Sequence, residues 1–319
     1  MNHKRRLGRT DIEVSPIGLG TMQFAGGLGF LWFMYQRLSM ETVTGIVKAA
    51  LDGGINWFDT AEIYGQGSSE RYLASALKDT NKSNTDVVIA TKWFPLFRRA
   101  SNIGKTIDTR LKCLGSYNID LYQIHFPRSF SSTREIMNRM ADLVEEGKIG
   151  SIGVSNYSAK KMRHAHDILA ERGLPLASNQ VHYSLLNRKI ERNGILDTAK
   201  KLGITIIAYS PMESGLLSGK FHESSSAFSN TPFYRRISLK SKLEKSRQLI
   251  ETLREIAIAY GVTPAQAALN WLINFHSETV VAIPGASAAK QAQENAQAMS
   301  FTLSPAELTQ IDQVSRKFL

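Results

Sequence analysis

Two hydrophobic patterns alternate along this chain of 319 residues. The first is a short run rich in valine and isoleucine, which is typical of a strand buried on both faces of a parallel sheet. Between these runs, apolar residues recur at three- and four-residue intervals, as they do in amphipathic helices. The pattern predicts eight strands, at residues 16–20, 55–59, 87–92, 119–125, 150–155, 177–181, 204–210 and 279–284.

The intervening pattern predicts helices, some of which have well-marked ends. Two late helix starts, at Thr263 and Ser304, each combine an N-cap hydroxyl, a proline at the first helical position and a capping-box partner. The other predicted helices cover residues 40–51, 70–77, 103–114, 134–146, 159–169 and 194–202.

Eight strands that alternate with helices favour an α/β fold, a (β/α)8 or TIM barrel, in a single domain over residues 1–319. The alternative is an open doubly wound sheet, which commonly carries G-x-G-x-x-G after its first strand. Here Gly18 and Gly20 fit, but Gln23 stands at the third glycine position. We also predict an N-terminal β-hairpin in "KRRLGRTDIEVS" at the barrel floor, and a long loop over residues 211–239 after strand seven.

Composition narrows the class of protein. Hydrophobic residues make up 43% of the chain, enough for a full core, and the one cysteine, Cys113, excludes an internal disulfide. A net charge of +11 is typical of a protein that binds nucleic acid. However, the basic residues are spread along the chain without a zinc-finger or helix-turn-helix spacing. No apolar run approaches the roughly 20 residues of a membrane span. We therefore expect a cytoplasmic protein with no nucleic-acid or membrane partner; the sequence leaves the oligomeric state open.

Polar residues stand at the carboxyl ends of the predicted strands. In a (β/α)8 barrel the functional site lies at the carboxyl ends of the strands, so these residues should converge on one rim. Tyr64 follows strand two by five residues, in "INWFDTAEIYGQGSSE". The polar strand-end residues are Asp59, Lys92, His125, Ser155, Asn156, Asn179, Gln180, Tyr209 and Ser210.

Four of these side chains fit the reduction of a carbonyl group. Hydride addition leaves an alkoxide that needs a proton, and the phenol of Tyr64 can supply one, with an ordinary pKa of about 10. The ammonium of Lys92, held by Asp59, should lower that pKa. His125 should donate a hydrogen bond to the substrate oxygen. Taken singly, each residue has a structural interpretation, as a cap, a packing residue, a surface charge or a structural histidine; their grouping favours catalysis.

These residues lie in segments that resemble the aldo-keto reductase superfamily. The similarity covers nearly the whole chain and includes, in order, "GLGTM", "NWFDTAEIYGQGSSE", "VVIATK", "DLYQIH", "GKIGSIGVSNYS", "SNQVHYSLLNR", "AYSPMESGLLSGK" and "AIPGASAAKQAQEN". The resemblance implies a (β/α)8 barrel that reduces small-molecule carbonyl substrates with NAD(P)H. It also implies that the family's catalytic tetrad falls on Asp59, Tyr64, Lys92 and His125.

The resemblance further implies where the cofactor lies. Ser155, Asn156 and Gln180 match the positions that hold the nicotinamide carboxamide, and Tyr209 matches the aromatic residue that stacks on the nicotinamide ring. A helix start near residue 288 would offer free N–H groups to an anion. The other implied cofactor contacts are Thr21, Met22, Asp59, Ser210, Pro211, Met212, Lys220, Gly285, Ser287, Gln291, Glu294 and Asn295.

The resemblance favours NADPH over NADH as the cofactor. Many members bind the 2'-phosphate with an arginine or lysine in the segment that reads "IPGAS" here. This chain has Ser287 and Gln291 at those places, with Lys290 between them. Arg235 or Arg236, on the long loop, either supplies the missing cation or lies in a solvated loop; we predict the first.

An unusually aromatic segment, residues 24–39, occupies the first barrel loop. It either packs against neighbouring loops or forms an apolar wall over the substrate. We predict a substrate pocket lined by Trp32, Trp93 and Phe126, and a preference for apolar or aromatic aldehydes.

A second function stays open on the sequence alone. The fold also resembles cofactor-binding regulatory subunits of the potassium-channel β type, which have weak or no turnover. Those relatives tend to carry asparagine at the position of His125, whereas this chain has the complete tetrad. The sequence therefore favours an enzyme.

Overall fold

The computed structural model describes residues 4–26, 37–224 and 233–319, and no side chains for residues 233–235, 237–239 and 241. In this part of the chain the strands form two sheets. A short antiparallel hairpin pairs β1 (Arg5–Arg6) with β2 (Glu13–Val14). The second sheet contains β3 (Leu19–Gly20), β4 (Trp57–Asp59), β5 (Val88–Trp93), β6 (Leu121–Ile124), β7 (Ser151–Ser155), β8 (Leu176–His182), β9 (Thr205–Tyr209) and β10 (Val280–Ile283).

The eight strands of the second sheet are parallel and follow one another in chain order. Bridges from Ile17 to Ala282 and from Gly20 to Gly285 join the first strand to the last. The predicted (β/α)8 barrel is confirmed. Because every strand runs in the same direction, their carboxyl ends meet at one rim.

Helices surround the barrel and follow the strands in the predicted alternation. The two predicted capping boxes are present, between Thr263 and Gln266 and between Ser304 and Glu307. The helices are α1 (Met40–Asp52), α2 (Ser68–Asp79), α3 (Ser101–Leu114), α4 (Thr133–Glu145), α5 (Ala159–Ala170), α6 (Ile195–Leu202), α7 (Lys220–Glu223), α8 (Phe233–Tyr260), α9 (Pro264–Asn274), α10 (Ala289–Gln297) and α11 (Pro305–Ser315).

The hairpin closes the amino-terminal end of the barrel, as predicted. Its side chains Leu7 and Val14 are buried in the barrel interior with Trp57, Leu121 and Ile207. A second and larger core lies between the strands and the surrounding helices. Each fully buried aliphatic side chain contributes about 1.5–3 kcal/mol, so the two cores hold the strand ends rigidly in place.

The segment after β9 differs from the prediction. A single long loop was expected over residues 211–239, but a 3-10 segment (Glu213–Ser218) and α7 follow β9, and α8 already begins at Phe233. Buried Leu249, Leu253 and Ile256 recur at three- and four-residue intervals along α8, which anchors it to the outer core.

No single helix in the described ranges is both long and apolar enough to cross a bilayer. A pair of helical segments, Lys242–Tyr260 and Pro264–Asn274, passes that test together but is bent by 94°.

Candidate active site

The rim of the barrel brings four predicted residues together. Asp59 ends β4, Lys92 lies near the end of β5, and His125 directly follows β6. Tyr64 lies in the turn between β4 and α2, where its backbone N–H bonds to the carbonyl of Ala61. The cluster arises because these side chains follow neighbouring parallel strands.

A buried ion pair lies at the centre of the cluster. The Nζ of Lys92 is 2.5 Å from the Oδ1 of Asp59, and both side chains are almost completely buried. The same ammonium donates to the backbone carbonyl of Thr60 at 2.8 Å. Burial alone lowers the pKa of Lys92, but Asp59 and Tyr64 together raise it above its ordinary value, so the lysine stays charged.

Two glutamines satisfy the other oxygen of Asp59. The side-chain amides of Gln180 and Gln123 donate to Oδ2 at 2.8 and 3.1 Å. A carboxylate that accepts this many bonds is fixed in one orientation, and it fixes the ammonium of Lys92 in turn. Gln123 was not predicted as a site residue, although it lies two residues before His125 and therefore points to the same side of the strand.

The phenol of Tyr64 lies directly above this ion pair. The Nζ of Lys92 is 5.1 Å from the centroid of the tyrosine ring. Burial raises the pKa of Tyr64 and the charge on Asp59 adds to the increase, while Lys92 lowers it by charge and by a hydrogen bond. Lys92 therefore acts in the predicted direction, but burial has the larger effect, and the pKa of Tyr64 lies above its ordinary value of 10.

His125 forms the other wall of the cluster. Its ring lies edge-on to that of Tyr64, with centroids 5.9 Å apart. Burial, and then the charge of Lys92, hold the pKa of His125 well below its usual 6.5, so the imidazole is neutral at pH 7. Nδ1 is buried and has no hydrogen-bond partner among the described residues. A neutral imidazole of this kind can donate one hydrogen bond but is a poor source of a proton.

The model of the aldo/keto reductase family matches residues 16–316. The chain belongs to the aldo-keto reductases. It is 38% identical over 309 residues to an uncharacterised oxidoreductase of Mycobacterium tuberculosis, a match that covers 96% of this chain and 91% of the other.

Two solved aldo-keto reductases share the fold. One is a thermostable enzyme, Tm1743, in complex with the inhibitor epalrestat; it is 30% identical with a TM-score of 0.78, and the match covers 98% of this chain and 99% of the other. The second, from Klebsiella pneumoniae, was solved with NADPH; it is 26% identical with a TM-score of 0.75, and the match covers 99% and 96% of the two chains.

Some of the residues that the resemblance implies as cofactor contacts are joined by hydrogen bonds to the predicted tetrad of this aldo-keto reductase. The hydroxyl of Tyr209 donates to Asn156 Oδ1 at 3.0 Å, and Asn156 Nδ2 donates to Ser155 Oγ at 3.0 Å. Ser155 in turn donates to the backbone carbonyl of Gln180, the residue that bonds Asp59. Asn156 has a φ of 60°, a left-handed conformation that asparagine tolerates better than most residues.

His182, to which the sequence assigned no role, supports Tyr209. The two rings are stacked, with centroids 5.4 Å apart, and His182 Nε2 lies 2.7 Å from Glu213 Oε1. Burial would raise the pKa of Glu213, but hydrogen bonds from His182, Lys242 and Ser184 lower it to about 2. This network fixes the plane of the Tyr209 ring at the rim.

A second group of the implied cofactor contacts lies together after β10. Gln291 accepts hydrogen bonds from the backbone and hydroxyl of Ser287, and Asn295 donates to the carbonyl of Gly285 at 3.4 Å. Helix α10 begins here without a side-chain cap, so its first N–H groups are suited to an anion such as a phosphate. Glu294 is partly exposed on the same helix and lies 3.9 Å from Lys290.

Gly285 lies against the side chain of Gln23. A β-carbon built there would lie 2.2 Å from the side-chain amide nitrogen of Gln23, whose oxygen is buried without a partner in the described ranges. The uncapped start of α10 close to this glycine fits a bound phosphate group, whose oxygens accept hydrogen bonds from free N–H groups.

The remaining implied cofactor contacts lie in different parts of the structure. The hydroxyl of Thr21 is buried and hydrogen-bonded to the Asp59 carbonyl and to Ser69, so its hydrogen bonds stabilise the fold. Met22 is partly exposed beside it. Four others lie in or near the 3-10 segment after β9, where no described contact joins their side chains to the tetrad: Ser210, Pro211, Met212 and Lys220. The side chain of Arg235 and the whole of Trp32 lie outside the described residues.

The structure contradicts the predicted substrate wall at Trp93. Trp93 is fully buried, and its indole donates to Asn102 of α3, so it belongs to the core between barrel and helices. It points away from the rim because it follows Lys92 and successive strand residues face opposite sides. Phe126 does lie at the rim, stacked on His125 with centroids 4.7 Å apart. Phe94, edge-on to both rings, joins it.

Proposed function

We propose that this aldo-keto reductase reduces aldehydes or ketones to alcohols with NADPH, with Tyr64 as the proton donor. The observation that carries the proposal is the buried pair of Lys92 and Asp59 directly beneath the phenol of Tyr64, with neutral His125 alongside. When bound, the cofactor supplies the hydride. The residues of the chain supply the proton, the orientation of the substrate and the compensation of charge.

The raised pKa of Tyr64 keeps the phenol protonated at neutral pH, so the proton is present when the alkoxide develops. Giving up that proton leaves a phenolate beside the ammonium of Lys92, which stabilises it by charge. Because Asp59 and the backbone of Thr60 fix the ammonium, this stabilisation requires no rearrangement during the reaction. His125 orients the carbonyl oxygen through a hydrogen bond.

Two features support a dinucleotide cofactor. They are the uncapped start of α10 and the hydrogen-bonded row of Tyr209, Asn156 and Ser155. NADPH is favoured because a structural relative was solved with it. We expect oxidation of NADPH with a lower KM than that of NADH.

We place the protein in the cytoplasm as a single-domain enzyme. The test of the function is carbonyl-dependent oxidation of NADPH against a panel of aldehydes, ketones and sugars. Sustained turnover supports an enzyme. Tight NADPH binding without turnover of any carbonyl would favour the regulatory-subunit alternative.

The rings of Phe126 and Phe94 favour apolar and aromatic aldehydes. Replacing Phe126 by serine should lower kcat/KM for benzaldehyde about tenfold while changing that for a small aldehyde such as propanal much less, because the stacking surface is lost. Steady-state kinetics with both substrates measures the ratio.

Phe130→Ser is the matched control, since Phe130 follows the same strand but packs against Phe97 and not against His125. An equal loss for both aldehydes in Phe126→Ser would count against a substrate-stacking role, and so would a preference of the unmodified protein for charged sugars.

The pH profile of reduction should be broad. A histidine whose pKa lies well below 6.5 stays neutral as the pH falls to about 6, and a tyrosine whose pKa lies above 10 stays protonated as the pH rises to about 9. We therefore expect kcat/KM to be nearly constant between those limits and to fall only outside them. Initial rates across that range, with circular dichroism to check folding at each pH, measure the profile. A decline centred near pH 6.5 would show that His125 titrates normally.

A further inference from the structure

Large apolar side chains are exposed together on two loops beside the rim. Phe97 is 75% exposed and Phe130 is 62% exposed, and Leu96 is also exposed. We call these three residues the Phe97 patch. Phe97 and Phe130 contact each other, with ring centroids 6.2 Å apart. Contiguous exposed apolar surface of this kind marks an interaction site more often than a scattered exposed residue does.

Hydrogen bonds join the two loops, so the backbone holds the rings of Phe97 and Phe130 in their exposed positions. The carbonyl of Arg98 accepts hydrogen bonds from the hydroxyl of Ser129 at 2.7 Å and from the backbone of Phe130 at 3.0 Å. Ala100 N–H donates to Ser131 Oγ at 3.1 Å. Glu62 anchors the first loop by accepting from Arg98 and from the backbone of Phe94.

The backbone at Phe97 is strained. Its φ of 61° lies in the left-handed region, which a bulky residue adopts only when the surroundings impose it. Such strain at an exposed aromatic residue is commonly associated with function.

Exposed arginines flank the patch. Arg99 and Arg128 are exposed in the same two loops. Among the acidic groups of this region, Glu62 is paired with Arg98. Glu135 at the start of α4 stays negatively charged, because hydrogen bonds from Ser132 and the charge of Arg99 lower its pKa. The chain as a whole carries a net charge of +11. A second copy docked through the same patch would bring further arginines against these and be repelled.

We propose that the Phe97 patch docks this protein on the surface of an anionic lipid bilayer. Protruding phenylalanines enter the boundary between headgroups and acyl chains, and flanking arginines attract anionic headgroups. The rings project from loop tips instead of lining a groove, which fits a bilayer better than a peptide ligand. This binding is peripheral, is distinct from a membrane span, and does not depend on the proposed reductase activity.

The test is sedimentation of the purified protein with sucrose-loaded vesicles of equimolar phosphatidylcholine and phosphatidylglycerol. The unmodified protein should bind these vesicles and bind pure phosphatidylcholine weakly. The double variant Phe97→Asn/Phe130→Ser should lose at least about tenfold in partition coefficient, because two inserted rings are removed. Asparagine at 97 tolerates the left-handed backbone, so the variant should fold.

Ile258→Ser is the matched control. Ile258 is 74% exposed on α8 and lies outside the patch, and its replacement should leave the partition coefficient unchanged. Arg99→Gln/Arg128→Gln should weaken binding to the anionic vesicles about fivefold or more, as should added salt. Circular dichroism and turnover of a soluble aldehyde should be the same in all these variants.

Equal binding by the unmodified protein and the Phe97/Phe130 double variant would overturn the proposal. So would a failure of the unmodified protein to bind anionic vesicles, which is the result expected if the patch contacts an acidic protein.

Discussion

Replacing Tyr64 by phenylalanine is expected to lower kcat for aldehyde reduction by about 10²–10⁴-fold, the range typical of a lost general acid. The substitution removes one oxygen atom and keeps the ring that packs edge-on to His125. Binding of NADPH, followed by fluorescence titration, should change little, because no proposed cofactor contact uses the phenol. Steady-state and single-turnover rates together separate the chemical step from cofactor release.

Tyr260→Phe is the matched control. This phenol bonds to Glu307 between α8 and α11, away from the rim, and its loss should leave kcat unchanged. If Tyr64→Phe retained normal turnover, another group would have to supply the proton. Neutral His125, with its depressed pKa, is poorly suited to do so.

Replacing Lys92 by methionine should affect both stability and activity. The substitution leaves the carboxylate of Asp59 buried and without its counter-charge, which typically costs about 3–5 kcal/mol in the free energy of unfolding. Reduction should fall by at least about a hundredfold, because the phenolate of Tyr64 loses the ammonium that stabilises it. Urea denaturation and steady-state kinetics measure the two effects.

Lys48→Met is the matched control for stability. Lys48 pairs with Asp52 on the exposed face of α1, where such a pair contributes about 0.3–0.5 kcal/mol. The double variant Asp59→Asn/Lys92→Met removes both buried charges, so it should recover part of the stability and none of the activity. An unfolding free energy for Lys92→Met equal to that of Lys48→Met would contradict the importance of the buried pair.

The central part of the site could be predicted from the sequence because barrel geometry is simple. A polar residue at the carboxyl end of a buried strand must reach the common rim, and this placed Asp59, Lys92 and His125 correctly. The position of Tyr64 depends in addition on the turn after β4, whose conformation the strand pattern does not determine.

Two errors at the rim came from neglecting the alternation of side chains along strands. Trp93 follows the inward-facing Lys92 and therefore faces the helices, whereas Gln123 precedes His125 by two and faces the rim. The direction of the Tyr64 pKa required the structure, since it depends on whether burial or the nearby ammonium is stronger.

Contacts between distant segments could not be read from the chain. His182 stacks on Tyr209 and bonds to Glu213, and Lys242 of α8 completes that network. The sequence prediction omitted α8, because the Ser-, Gly- and Phe-rich stretch before it hid the helical spacing of Leu249, Leu253 and Ile256.

The most direct test of the central claim follows the hydrogen itself. The purified protein is incubated with an excess of an aldehyde and NADPH deuterated at C4 of the nicotinamide, and the alcohol is analysed by mass spectrometry. Our account predicts many equivalents of alcohol per equivalent of protein. With the cofactor epimer that carries deuterium on the transferred face, each alcohol molecule should carry one deuterium on its carbinol carbon. Alcohol without deuterium from either cofactor epimer, or no more than one equivalent per protein, would contradict it.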